Sequence, residues 1–192
     1  MKYKVSEMFE SIQGEGSFSG TLVNFVRFSG CNMRCSFCDT EFNKFTLVSK
    51  ERMYNQIKDY LSKIIVFTGG EPMLQLNQEL VDYFVNKGYS VHIETNGSID
   101  IFLRGIDHIV VSPKDPMKWL QKTGSDLKIL IGPDDENMPL DEIVSDTTFK
   151  NYFLQPISGP RYDDALQNCI QLIMYNPTWK LSVQLHKIIN VK

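Results

Sequence analysis

Short apolar runs alternate with capped, helix-like stretches along this chain, and that alternation most narrows what it can fold into. YKVSEMF (Tyr3–Phe9) and LVNFVRF (Leu22–Phe28) read as extended. Ser49 is placed to cap a helix running to about Leu61, with Met53, Ile57 and Leu61 on one stripe. KIIVF (Lys63–Phe67) reads as a strand. Asn77 then caps a helix that buries Leu80, Val81, Phe84 and Val85 and ends at Gly88. YSVHIE (Tyr89–Glu94) and DHIVV (Asp107–Val111) read as strands, followed by a short helix near Pro116–Lys122. DLKILI (Asp126–Ile131) and NYFL (Asn151–Leu154) are further strands, separated by a helix around Leu140–Asp146. Asp163 and Asp164 open a helix with Ala165, Leu166, Cys169, Ile170 and Ile173 on one face, and LSVQL (Leu181–Leu185) closes the chain as a strand.

Strands separated by helices imply right-handed βαβ crossovers and a parallel sheet. A closed eight-fold barrel takes roughly 250 residues, and this chain has 192. The expected architecture is therefore α/β: an open, incomplete parallel βα barrel of about six βα units. No repeat, low-complexity stretch or Pro/Gly/Ser linker divides the chain, so residues 1–192 are expected to form a single domain.

The unusual loops all follow predicted strands. They are the stretch from Gly30 to Thr40, TGGEP (Thr68–Pro72), TNG (Thr95–Gly97), SPK (Ser112–Lys114) and QPIS (Gln155–Ser158). Parallel α/β folds bind ligands at the carboxyl ends of their strands, so these five loops share one expected rim.

The first loop, GCNMRCSFCDT, places Cys31, Cys35 and Cys38 in the spacing C-x3-C-x2-C. Thiolates bind zinc or iron–sulfur clusters. A structural zinc site wants four closed ligands, and here His92, His108 and His186 stand apart in sequence. Cys169 lies on a predicted apolar helix face and reads as a small buried hydrophobe. A four-iron cluster held by three cysteines leaves one iron open to an exogenous chelator, which makes three the required number. On spacing alone the cluster is favoured, with a zinc staple or a coincidental group of thiols as the alternatives. GGEP alone reads as a turn, but two glycines also let backbone approach a ligand closely. ESIQGEGSFSG (Glu10–Gly20) is a hairpin tip on composition alone. Its Gln13 and Glu15, flanked by glycines, are also suited to the hydrogen-bonding edge of a flat heterocycle.

Charge limits the partners. The formal net charge is −3, so no electrostatic footprint exists for nucleic acid or an anionic membrane. The first ten residues carry no apolar leader run, and the longest apolar runs are too short to span a bilayer. A cytoplasmic location is expected, where clustered thiols point to metal or redox chemistry.

The cysteine spacing with GGEP resembles the radical S-adenosylmethionine (SAM) superfamily. The larger set EMFESIQGEG, FVRFSGCNMRCSFCDT, FTGGEP, ETNG, VVSPK, LQPISGP and VQLHK, running from Glu7 to Lys187, is similar to the 7-carboxy-7-deazaguanine synthase (QueE) family. That resemblance implies a [4Fe–4S] cluster, SAM and Mg²⁺ as cofactors. It implies that 6-carboxy-5,6,7,8-tetrahydropterin is converted to 7-carboxy-7-deazaguanine with loss of ammonia, on the way to queuosine and other deazapurines. It also implies an electron donor such as flavodoxin, and a homodimer.

Residue roles follow from the same motifs as implications of the resemblance. Cys31, Cys35 and Cys38 ligate the cluster, and Thr40 contacts Mg²⁺. Arg27 takes the substrate carboxylate as a fork. Ile12, Gln13, Gly14, Glu15 and Thr68 hold the pterin, joined by His186, for which an ordinary strand histidine is an equal reading. Phe37, Cys38, Asp39, Gly70, Glu94, Asn96, the segment Ser112, Pro113 and Lys114, and the segment Gln155, Pro156, Ile157 and Ser158 line SAM. Several family members end in a proline whose carboxylate lies near the substrate, whereas this chain ends IINVK. Two other readings stay open on the residues alone: a glycyl-radical activase, which shares the cysteine and GGEP motifs but not QGEG, and a small Fe–S or zinc protein that binds a partner without chemistry.

Overall fold

A computed structural model describes residues 1–38 and 44–192 of the chain. One nine-stranded sheet runs through it in the order β3-β1-β2-β4-β5-β6-β7-β8-β9. Its strands are β1 (Tyr3–Ile12), β2 (Leu22–Phe28), β3 (Thr46–Val48), β4 (Ile64–Gly69), β5 (Ser90–Thr95), β6 (His108–Val111), β7 (Thr123–Ile131), β8 (Thr148–Pro156) and β9 (Trp179–Leu181). From β2 to β9 every neighbouring pair is parallel, while β1 and β3 add an antiparallel edge. The two edge strands β3 and β9 do not pair with each other, so the barrel is open, as the length predicts.

Four of the six crossovers carry an α-helix: α1 (Lys50–Ile57), α2 (Gln78–Asn86), α3 (Leu140–Ser145) and α4 (Tyr162–Tyr175). Capping sets two of their starts. The Ser49 side chain accepts from Arg52 N, and the Asn77 side chain accepts from Leu80 N. The β5–β6 connection has no helix, and β6–β7 has only a 3₁₀ turn, Pro116–Lys118.

Period-two alternation decides which side chains meet the helices. Val26 and Phe28 of β2, Ile65 and Phe67 of β4 and Val91 and Ile93 of β5 pack with Met53 and Ile57 of α1 and with Leu80, Val81 and Phe84 of α2. Leu127, Ile129 and Ile131 of β7 form a second core with Leu154 of β8, Leu140 of α3 and Cys169 of α4. Burial pushes the Cys169 thiol up to about 12, fitting a small buried hydrophobe.

Several local expectations are corrected. Helix α1 stops at Ile57, so Leu61 lies beyond its apolar stripe and is 84% exposed. Val85 and Ile170 also point outward, because one helical face is too narrow to bury two adjacent residues fully against a sheet. Leu181–Leu185 is not one strand. Strand β9 ends at Leu181, and a short helix α5 (Leu185–Ile188) follows, so His186 is helical. The alternating pattern of LSVQL reflects a loop whose Ser182 and Gln184 turn inward to hydrogen-bond partners. Strand β3 had no signal beyond three residues.

Candidate active site

The loops at the carboxyl ends of the strands do meet. Cys31, Cys35, Phe37, Cys38, Thr68, Gly70, Glu94, Asn96, Ser112, Lys114 and the segment Gln155–Ser158 line one cavity of about 220 Å³, together with Glu15, Arg27, Lys128 and Gln184. A second cavity, about 470 Å³, is lined by Ile12, Gln13, Glu15, Arg27, Glu94, Gln184, His186 and Lys192. Glu15, Arg27, Glu94 and Gln184 border both and form the partition between them. Gly14 and Pro113 lie outside both linings, and Asp39 and Thr40 lie outside the described residues.

The wall bearing the cysteines is built of backbone. Gly70 N donates to Phe28 O (3.1 Å) and Glu71 N to Gly30 O (2.9 Å), so the GGEP loop is zipped to the start of the cysteine loop. A Cβ on Gly70 would lie 2.0 Å from Gly30 O, so only glycine permits this approach. Glu71 fastens the next loop. Its carboxylate, fully buried, accepts from Asn96 N (2.8 Å), Thr95 Oγ1 (2.8 Å) and Met73 N (2.9 Å). Burial raises its pKa, and these donors oppose the rise. Asn96 Nδ2 in turn lies 3.8 Å from Cys31 Sγ.

The opposite wall is built of charged side chains. Lys128, in the middle of β7, pairs with Glu15, whose other oxygen accepts from Gln184 Nε2 (2.8 Å). Burial alone would raise the Glu15 carboxyl. The Lys128 ammonium and the Gln184 and Gln155 amides outweigh it and hold the group well below the usual carboxylate range. Lys114 Nζ donates to Ser112 Oγ (2.7 Å); burial, then the nearby Lys128 charge, pushes its pKa down to about 8.

Between the walls, Glu94 accepts from Gln13 Nε2 (2.8 Å) and Thr68 Oγ1 (3.0 Å), tying together two residues assigned to the pterin. Arg27 Nε stands 2.9 Å from Glu7 Oε1, near enough for ionic attraction but without hydrogen-bond alignment. Gly14 packs against His186: a Cβ there would lie 2.0 Å from His186 Nδ1, and Gly14 O accepts from Leu185 N (2.9 Å). His186 thereby backs the QGEG loop while lining the larger cavity.

Among the described residues, no group of three or more His, Cys, Asp or Glu side chains is placed to hold a metal ion. The three thiols share one cavity wall without closing around a single point, and no histidine lines that cavity. A lone zinc ion needs ligands about 2.0–2.3 Å from one centre. Three thiols beside a glycine cradle fit a larger cluster with one open coordination site.

Lys128, Gln184, Glu71 and Asp126 were not singled out by sequence. Lys128 had one signal, a lysine on the polar-facing phase of the apolar strand DLKILI. Gln184 stood inside VQLHK without a role.

The model of the radical SAM superfamily matches residues 25–127. The 7-carboxy-7-deazaguanine synthase of Bacteroides thetaiotaomicron is 34% identical over 192 residues and covers 100% of both chains. That of Burkholderia multivorans is 36% identical over 213 residues, again with 100% of both chains covered. The crystal structure of QueE from Escherichia coli is similar with a TM-score of 0.80 at 30% identity, covering 97% of this chain and 95% of that one. With an open parallel sheet, three thiols on its rim and full-length likeness to these relatives, the chain belongs to the 7-carboxy-7-deazaguanine synthase family of the radical SAM superfamily.

Proposed function

We propose that this protein converts 6-carboxy-5,6,7,8-tetrahydropterin to 7-carboxy-7-deazaguanine with release of ammonia; the product is the one that its relatives' name carries. The observation that carries the reading is the pair of adjoining cavities. One carries the cysteines, and the other carries the amide, carboxylate and guanidinium suited to a pterin acid.

The radical SAM family implies a [4Fe–4S] cluster on Cys31, Cys35 and Cys38, with SAM beside it. When bound, these supply the one-electron chemistry that starts the reaction at C6. The chain's own residues do the rest. Arg27 takes the substrate carboxylate through a forked contact, kept in place by Glu7 and by the Phe9 ring, 5.8 Å from its Cζ. Gln13 and Glu15 read the ring edge, and Thr68 and Glu94 hold Gln13 in position. The backbone at Gly70 and the side chains of Asn96, Ser112 and Lys114 offer hydrogen bonds to SAM, and Gln155–Ser158 with Phe37 enclose its adenosine. Thr40 is the Mg²⁺ contact in this reading. Flavodoxin as reductant, a homodimer, a single domain and a cytoplasmic location complete it. No helix among the described residues is long and apolar enough to cross a membrane.

The test is turnover. Protein reconstituted anaerobically with iron and sulfide, then given SAM, Mg²⁺, a reductant and the pterin, should yield 7-carboxy-7-deazaguanine by mass spectrometry. A brown protein that makes 5′-deoxyadenosine and no deazaguanine contradicts the substrate. A colourless zinc protein contradicts the chemistry.

A further inference from the structure

We propose that Lys128 is a positioning residue for the substrate: from the middle of β7 its ammonium holds the Glu15 carboxylate in place and charged, so that Glu15 accepts from the donor edge of the pterin ring. The proposal rests on the pterin reading above and adds to it a residue outside every motif of the resemblance.

A lysine inside an apolar strand is costly unless its charge is paired. Lys128 is 7% exposed and its neighbours on the chain, Leu127 and Ile129, are core residues. Its charge is met by Glu15, 113 residues away in sequence. Asp126, two residues earlier and on the same face of β7, grips the same loop two residues further on. It is fully buried, and it accepts from Ser17 N (2.9 Å) and Ser17 Oγ (2.7 Å). Asn151 Nδ2 (3.0 Å) and His108 Nε2 (3.2 Å) brace Asp126 from β8 and β6. Strand β7 therefore fixes the QGEG loop at its side chain and at its backbone.

The arrangement leaves Glu15 able to work. Lys128 and Gln184 engage one oxygen each, and the Gln155 amide takes a third site. A carboxylate has about four lone-pair sites, so Glu15 keeps acceptor capacity for a single further donor. The exocyclic amine and the ring N–H of a pterin form a two-donor edge, and the remaining site on Glu15 accepts from one of them. Lys128 pairs with Glu15 and lines the cysteine cavity, whereas Arg27 borders both cavities and stands beside Glu7 in the lining of the larger one. The titratable groups that share a cavity with Glu15 include Lys128 from β7, Lys114 from the loop after β6, Glu94 and His92 from β5, His108 from β6, Arg27 from β2, Glu7 from β1, and His186 and Lys192 from the C-terminal segment. Lys128 is the cation that touches it.

The sign of the effect follows. With Lys128 present, Glu15 is ionised across the working range. Without it, burial raises the carboxyl, and the acceptor is lost as pH falls.

The experiment measures pterin and SAM affinity from pH 6 to 9 on reconstituted protein, and in parallel the Glu15 carboxyl titration by infrared difference spectroscopy. Variants are Lys128→Met, Lys128→Arg, Glu15→Gln and the double Lys128→Met/Glu15→Gln, which leaves no lone buried charge if the single variant fails to fold. In Lys128→Met, pterin affinity should fall roughly tenfold at pH 6, because the buried carboxyl without its cation takes up a proton within the measured pH range. The gap should narrow by pH 9 in step with the Glu15 titration, and SAM affinity, reached by Lys128 through Lys114, should change less than pterin affinity. Lys128→Arg should restore most of it, and the double variant should be no worse than Glu15→Gln. Equal loss of pterin and SAM affinity at all pH values overturns the proposal, as does a Glu15 titration unmoved by Lys128→Met. Wild-type protein that binds no pterin overturns the substrate reading instead, and the carboxyl titration then decides the Lys128–Glu15 link alone.

Discussion

The two walls of the site are made by different means. The cysteine wall is backbone laid on backbone, with Gly70 against Gly30 and Glu71 clamping the loop that carries Asn96. The β7 wall is charge set against charge, with Lys128 on Glu15 and Asp126 on Ser17. A wall of close-packed backbone has no space for an added atom, and the Gly70–Gly30 contact itself holds nothing that titrates. A wall of buried ions has pliable side chains, but its geometry depends on which protons are bound. The first should fail on volume and the second on pH.

The largest effect should come from the thiols. Cys35→Ala should abolish product and lower bound iron, while thermal unfolding of the metal-free protein moves little, because Cys35 lies on a loop outside the three cores. Product at wild-type levels would remove the cluster wall from the account.

Next is Gly70→Ala, which tests volume. The added Cβ meets main chain at 2.0 Å, so the cysteine loop must shift. Stability should fall by about 1–3 kcal/mol in denaturant melts, and activity should fall at every pH alike. A loss that recovers with pH would break the contrast between the walls.

The pH side is sharpened by His92, beneath the QGEG loop, whose ring packs 4.5 Å from the Phe18 ring and 5.1 Å from that of His108. Burial, then the His108 charge, lowers its pKa from 6.5 to about 4. The fold accepts the neutral ring, so its contribution is full above the unfolded value and is lost as pH falls from 6.5 toward 4. Urea melts should show wild type losing about 1–2 kcal/mol more than His92→Gln between pH 7 and 4.5, after allowance for solvent screening. Parallel acid limbs for the two proteins would contradict this. The smallest effect is Ser17→Ala, which removes one hydrogen bond to Asp126 and should cost about 1 kcal/mol with a modest rise in pterin KM. No change in that KM would mean that Asp126 does not set the loop.

The same difference explains what the sequence made legible. Glycines and cysteines are rare and position-bound, so GGEP and the cysteine spacing announced the backbone wall before any fold was known. The alternation of strands announced the open sheet, and the loop-after-strand rule brought five segments to one rim. Lys128 escaped notice because pairing with a residue 113 positions away leaves no local pattern. His186 and Gln184 were misplaced because an inward-turning loop and an alternating strand look alike over five residues. Leu61 and Val85 were overcounted because helical periodicity marks a stripe and not its edges.

The most direct test of the whole account is a crystal structure of the reconstituted protein with SAM and the pterin bound. The account predicts a four-iron cluster on Cys31, Cys35 and Cys38, and the pterin in the larger cavity with its donor edge on Glu15 and its carboxylate on Arg27. A single metal ion between the sulfurs, or a pterin seated away from Glu15, would contradict it.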